Sequence, residues 1–274
     1  MNNHSRIIFI IISFLFTVNI VFPQKPDTEK WVGLFNGKDL SGWSSFLSTV
    51  DKEEPFLINE DPQKIFQVIG NELHFYKDQN ESDKVPEGYL YTTKEYSDFR
   101  LRLEYKWGTK KFAQRKNKLK NSGLMFNAQQ PYGFWPTSIE YQISEGITGD
   151  AYTQNYAWFT TTIDSIVLDN SSKRSFPRYS PNGKLYDYGG NQSSMRLIGP
   201  GNLDHPEGWN KVEMIVRGDS AVFYVNGTET VKVWNIRYDK PGIENDVRPM
   251  KKGRIVLQAE ATEIIFRSIE ILEE

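Results

Sequence analysis

Between Phe99 and Trp107 the chain reads FRLRLEYKW, and this run does most to fix the fold class. Phe99, Leu101, Leu103, Tyr105 and Trp107 alternate without a break with Arg100, Arg102, Glu104 and Lys106. Side chains on an extended strand point to opposite faces with a period of two, whereas a helix brings every third or fourth residue together. One face therefore meets a core. The other carries too many charges for a second buried layer, so it meets water or lines a groove. Residues 138–144 repeat the pattern: Ile139, Tyr141 and Ile143 alternate with Ser138, Glu140, Gln142 and Ser144. That strand presents a carboxylate beside an amide, with Glu145 and Asp150 following at once. A row of acids and amides on one sheet face is what a sugar-binding groove needs, although an ordinary solvated face has the same composition. Glu104 and Lys106 are expected to sit opposite Glu140 and Gln142.

Further short strands are expected at 66–69 and 72–76, joined by a Gly70-Asn71 turn, and at 89–92 and 124–127. One or two more fall within 157–167, then others at 195–198, 211–216, 221–225 and 230–233. Residues 254–258 and 263–271 are expected to pair across 259–262. Residues 44–64 and 170–192 read as loops, being rich in charge, Pro, Gly, Ser and Asn. No stretch after the leader sustains helical periodicity. Many short strands at regular spacing predict an all-β sandwich in one domain, residues 25–274.

Residues 1–24 read as a targeting segment. Arg6 precedes an apolar run from Ile7 to Phe22, short for a membrane span and suited to a signal peptide. The rest of the chain is therefore expected in the periplasm or secreted, with membrane contact only if the leader stays uncleaved. The 274 residues contain no cysteine, which excludes disulfides, thiolate zinc sites and an N-terminal lipoprotein cysteine. A formal net charge of −2 gives no reason to expect nucleic acid as a partner. The basic stretch at 109–120 reads as a solvated loop tip, since no aromatics interleave with its charges. Aromatics make up 14% of residues, which suits both strands and the faces of sugar rings.

A family resemblance emerges from several motifs taken in order. They are LFNGKDLSGW from Leu34 to Trp43, RLEYKW from Arg102, NSGL from Asn121, FWPTSIEYQISEG from Phe134 to Gly146, GWNKVE from Gly208, VLQAE from Val256 and FRSI from Phe266. Together they resemble the 3-keto-disaccharide hydrolase domain family of extracytoplasmic, mostly bacterial proteins, over nearly all of the chain after the leader. The resemblance implies a concanavalin A-like jelly-roll β-sandwich with a concave carbohydrate-binding sheet. It also implies cleavage of glycosides whose sugar is oxidised to a ketone at C3.

Such a ketone acidifies the hydrogen on C2. A base removes it, the aglycone leaves C1 by elimination, and water adds back. The site then needs a base near C2, a partner for the enolate oxygen and a donor at the leaving oxygen. The candidate catalytic residues are Glu140, Glu104, Lys106 and Glu145, with Lys106 as electrophile. Candidate substrate-binding residues are Gln142, Asn121, Ser122, Trp135, Asn127, Asp150 and Glu260, and Tyr132 is an alternative stacking platform. A divalent cation, calcium or magnesium by its oxygen ligands, could replace Lys106. Many relatives with the same motif carry histidine where this chain has Asn127. If that histidine is the proton carrier, this member is altered or uses Glu140 instead; the lone strand histidine His74 reads first as a packed or surface residue and second as a base, and His205 looks incidental. Two other readings stand beside the enzyme: a non-catalytic carbohydrate-binding module on the same sandwich, and a structural surface protein. A carboxylate with a perturbed pKa in the cleft would favour the enzyme.

Overall fold

The computed structural model describes residues 30–51, 55–130, 133–169, 173–190, 194–240, 242–243 and 246–274. The expected targeting segment, residues 1–24, and Tyr132 lie outside the described residues. In chain order the strands are β1 (Val32–Gly33), β2 (Trp43–Leu47), β3 (Leu57–Ile58), β4 (Phe66–Ile69), β5 (Glu72–Phe75), β6 (Gly88–Thr92), β7 (Phe99–Lys111), β8 (Asn121–Ala128), β9 (Ser138–Ser144) and β10 (Ala151–Gln154). There follow β11 (Ala157–Asp169), β12 (Arg174–Tyr179), β13 (Lys184–Gly189), β14 (Met195–Leu197), β15 (Asn210–Arg217), β16 (Ser220–Val225), β17 (Thr228–Asp239), β18 (Val247–Pro249), β19 (Arg254–Ala259) and β20 (Thr262–Glu273). The only helical element among the described residues is a 3₁₀ turn at Ala113–Arg115.

The strands form two antiparallel sheets. A 12-stranded sheet runs β12-β11-β17-β16-β15-β7-β20-β5-β4, with β1, β13 and β18 added at its margins. An 8-stranded sheet runs β14-β10-β9-β8-β19-β6-β2-β3. They pack face to face as a concanavalin A-like jelly-roll sandwich. The alternation of β7 and β9 explains why. Leu101, Leu103 and Tyr105 from one sheet, and Ile139, Tyr141 and Ile143 from the other, are all buried in one apolar core. The Tyr141 and Phe223 rings stack across the interface at 4.6 Å between centroids. The Tyr141 hydroxyl donates to the Tyr224 carbonyl at 2.8 Å, so the buried phenol keeps a partner.

The outer face of the 8-stranded sheet is divided. Over β6, β2 and part of β8 and β19 it is filled by Phe46, Tyr89, Tyr91, Met125 and Val256, with Trp135 and Phe56 packed against them. Over β9, β10 and the remainder of β8 and β19 the face is polar and open.

Several strand expectations need correction. Residues 44–64 contain β2 and β3. The serines of β2 disguise a strand whose Trp43, Phe46 and Leu47 are all buried. Residues 170–192 contain β12 and β13, and Pro177 is tolerated in β12 because that strand lies at the sheet edge. β19 and β20 do not pair. β19 lies between β8 and β6, whereas β20 lies between β7 and β5, so residues 260–261 carry the chain from one sheet to the other. Two apolar strands with a short connector look like a hairpin in sequence. Here the connector, with Ala261 at φ 49°, turns the chain across the sandwich.

Candidate active site

On β9, Glu140, Gln142 and Ser144 turn away from the core onto the open face, at the floor of a cleft of about 1230 Å³. Neighbouring strands add to that floor. Register places Gln142 beside Gly123 of β8 and Glu140 beside Tyr152 of β10. Leu124 faces Leu257, so Gly123 neighbours Gln258 of β19. One wall comes from the end of β7 and the segment that follows it, with Lys111, Arg115 and Lys118. The opposite wall holds Asp169, Ser194 and Arg196, and Trp135 stands at the rim.

Glu140 is only 2% exposed. Burial pushes its carboxyl up to about 7, against the opposing effects of a Gln154 hydrogen bond and the Arg115 charge. Gln154 Nε2 donates to Glu140 Oε2, and Ser194 Oγ donates to Gln154 Oε1. Oε1 of Glu140 lies over Gly123. A Cβ there would fall well inside 3.0 Å of it, so the absent side chain provides the carboxylate's seat.

A second chain of contacts crosses the floor. Arg115 Nη2 donates to Glu260 Oε1, Asn121 Nδ2 to Glu260 Oε2, and Gln142 Nε2 to Asn121 Oδ1. Burial lowers the Arg115 pKa, opposed by the charge of Glu87 and, further down, of Glu140. Its guanidinium remains a cation within the field of the catalytic candidate. At the far wall Arg196 Nε donates to Asp150 Oδ2 at 2.6 Å, and the Gly199 amide donates to Asp150 Oδ1 at 2.7 Å.

A model of the 3-keto-alpha-glucoside-1,2-lyase-like domain matches residues 30–272. The chain belongs to this family. Two solved structures of a putative glycosyl hydrolase from Parabacteroides distasonis share the fold of this 3-keto-alpha-glucoside-1,2-lyase-like chain. One matches at 18% identity and TM-score 0.51, covering 93% of this chain and 98% of its own. The other matches at 18% and 0.51, covering 89% and 100%. No curated protein matches by sequence.

Of the residues named from the sequence of this lyase-like domain, Glu140, Gln142, Asn121, Trp135 and Glu260 do line one cleft. The others are elsewhere. Glu104 and Lys106 lie on β7 of the opposite sheet, facing outward. Arg267 Nε donates to Glu104 Oε2 at 2.7 Å, and Lys106 sits over the Trp209 ring. Alternation gave their face correctly but not their sheet, because β7 pairs β15 and β20 rather than β9. Glu145 accepts from the Lys120 amide at 2.9 Å and ties down the base of the wall. Ser122 is fully buried and donates to the Gln258 carbonyl at 2.6 Å, joining β8 to β19. Asn127 is buried at φ 51°, at an irregular step in the β8–β19 register, and donates to the Met250 carbonyl at 2.7 Å. It therefore shapes the backbone and does not meet the cleft. Asp150 holds Arg196 from beneath. His74 lies on β5 of the other sheet, 3.3 Å from Glu72.

Sequence reasoning missed Arg115, Gln154, Gln258, Tyr152 and Arg196. The alternation within VLQAE, extended from Glu140's strand to its neighbours, would have found Gln258. Arg115 carries no such signal, because it reaches the cleft from a 3₁₀ turn.

Among the described residues no three His, Asp or Glu side chains converge. Glu260 is already held by Arg115 and Asn121.

Proposed function

We propose that this protein acts outside the cytoplasm on 3-keto-glycosides, with Glu140 as the base that removes the C2 proton. The observation carrying this reading is one buried carboxylate on a cleft floor, with its pKa near neutrality and one oxygen, Oε1, without a protein partner among the described residues. A general base works best when its pKa lies near the working pH. The apolar leader from Ile7 to Phe22 supports export.

Proton transfer from C2 to Glu140 Oε1 leaves an enolate whose charge sits on the C3 oxygen. Arg115 is the cation placed to stabilise it, in the role the sequence had given Lys106. Collapse of the enolate breaks the bond from C1 to the aglycone oxygen. Tyr152 is the neighbouring donor for that oxygen, since burial raises its pKa and keeps it protonated. Water then adds across C1 and C2 to complete net hydrolysis.

An ordinary glycosidase needs two carboxylates flanking C1. Here Glu260 is neutralised by Arg115, and Asp169 stands 3.8 Å from Arg196 Nη1. That leaves Glu140 as the cleft acid outside any ion pair among the described residues, which supports elimination over direct displacement.

The test is release of a chromogenic aglycone from a 3-keto-glucoside by wild type and Glu140→Gln, each with and without a chelator. Release by wild type alone supports the assignment. Loss of release with chelator would add a metal the ligand set does not suggest. Binding of the sugar without any release would make the protein a carbohydrate-binding module.

A further inference from the structure

Gln258 lines the cleft floor on β19, where the polar face meets the aromatic one, and is 2% exposed. Its Oε1 is buried without a hydrogen-bond partner among the described residues. Buried polar atoms are nearly always paired, and an unpaired one opposes folding. The amides around it are committed: Gln142 to Asn121, Asn121 to Glu260, and Gln154 to Glu140 and Ser194. Tyr89, its cross-strand neighbour on β6, gives its hydroxyl to the Gly133 carbonyl at 2.9 Å. Gln258 is thus the floor amide left open.

Its position relative to Glu140 is equally specific. The site of a missing Cβ on Gly123 lies 3.1 Å from Gln258 Oε1 and closer still to Glu140 Oε1. The two oxygens flank one notch in the floor. A sugar ring presenting its C2 hydrogen to Glu140 brings the hydroxyl on that same carbon to Gln258.

We propose that Gln258 is a substrate-binding residue whose side-chain carbonyl accepts a hydrogen bond from the C2 hydroxyl, carried by the same carbon whose hydrogen faces Glu140. This deepens the reading of the cleft given above and rests on it. It makes the site selective for a sugar bearing that hydroxyl. A pocket built to pair a hydroxyl rejects the deoxy analogue, because its own polar atom is then stranded.

The test uses methyl α-glucoside and its 2-deoxy and 4-deoxy analogues, which lack the ketone and so are not turned over. Binding is measured by calorimetry on wild type and on Gln258→Met, alongside their melting temperatures. Wild type should bind the parent about tenfold or more tighter than the 2-deoxy analogue, with the 4-deoxy analogue as the control. Gln258→Met should bind the parent about tenfold more weakly than wild type and should no longer discriminate. It should also melt higher than wild type, since the unpaired buried oxygen is gone. Equal affinity of the two proteins for the parent, or discrimination that survives Gln258→Met, overturns the assignment. So does a variant that melts lower or fails to fold, because Gln258 would then be supporting the sheet. These results leave Glu140 and the proposed reaction standing. If wild type binds neither methyl α-glucoside nor its 3-keto form, the functional reading and this inference fall together.

Discussion

Arg115 donates to Glu260 across a sequence separation of 145 residues, and this ion pair fastens a charged loop to the cleft sheet. Arg115→Met should lower kcat by about 10²–10³-fold, comparable to removing an oxyanion donor. It should also lower stability by roughly 1–3 kcal/mol, because Glu260 is left part-buried without its counter-ion. The double variant Arg115→Met/Glu260→Gln should regain much of the stability and none of the activity. Recovery of activity in the double variant would reduce Arg115 to a structural role.

Glu140 links folding to pH. Its folded-state pKa is about 7 against an ordinary value of 4.5, so between these limits the native protein holds a proton that the unfolded chain releases. Stability should therefore fall as pH rises through that window. Glu140→Gln should be more stable than wild type above neutrality, by on the order of 1–3 kcal/mol, with the advantage gone in acid. Urea unfolding of both proteins across the pH range measures this, and parallel curves would contradict it.

The same group sets the rate profile. As a base Glu140 must be ionised, so kcat/KM should rise with pH and level off above about 7. The Gln154 hydrogen bond lowers that pKa, and Gln154→Met should shift the rising limb to higher pH. A limb that does not move would detach Gln154 from the proton transfer.

Gly123 gives the Glu140 carboxylate its room. Gly123→Ala would drive Oε1 from its seat, and a misplacement of about 1 Å can reduce the rate about 10²-fold. Overpacking at this point should also lower stability by about 1–3 kcal/mol. Full activity in Gly123→Ala would mean that the carboxylate works from another position.

Glu104 and Lys106 provide a control on the opposite sheet. Glu104→Gln and Lys106→Met should leave kcat/KM unchanged and alter stability by about 1 kcal/mol or less, as expected for surface pairs. A large loss of turnover would place chemistry on the outer face of the 12-stranded sheet.

What the sequence made legible followed from period. The alternation of residues 99–107 and 138–144 assigned both strands and the face of every side chain on them. It put Glu140 and Gln142 on a polar face before any pairing was known. It did not say which strands are neighbours, because period carries no register. Glu104 therefore went to the wrong cleft, and the 254–271 segment read as a hairpin. Arg115 was hidden for another reason: a charged loop looks solvated until a carboxylate such as Glu260, far along the chain, is found beneath it. Asn127 and Ser122 look like ligands in sequence because backbone service and sugar recognition use the same amides and hydroxyls.

The crossing at residues 260–261 has a consequence for the order of assembly. β19 joins β6, β2 and β3 to β8, β9, β10 and β14, while β20 joins the β4–β5 hairpin to β7. Both keystones are made within residues 254–273, after every strand they connect. Until they arrive neither sheet is continuous, and the earlier strands stand as fragments with open edges. Folding therefore waits for nearly the whole chain, and under the export proposed above the chain would stay threadable until its last strands are made.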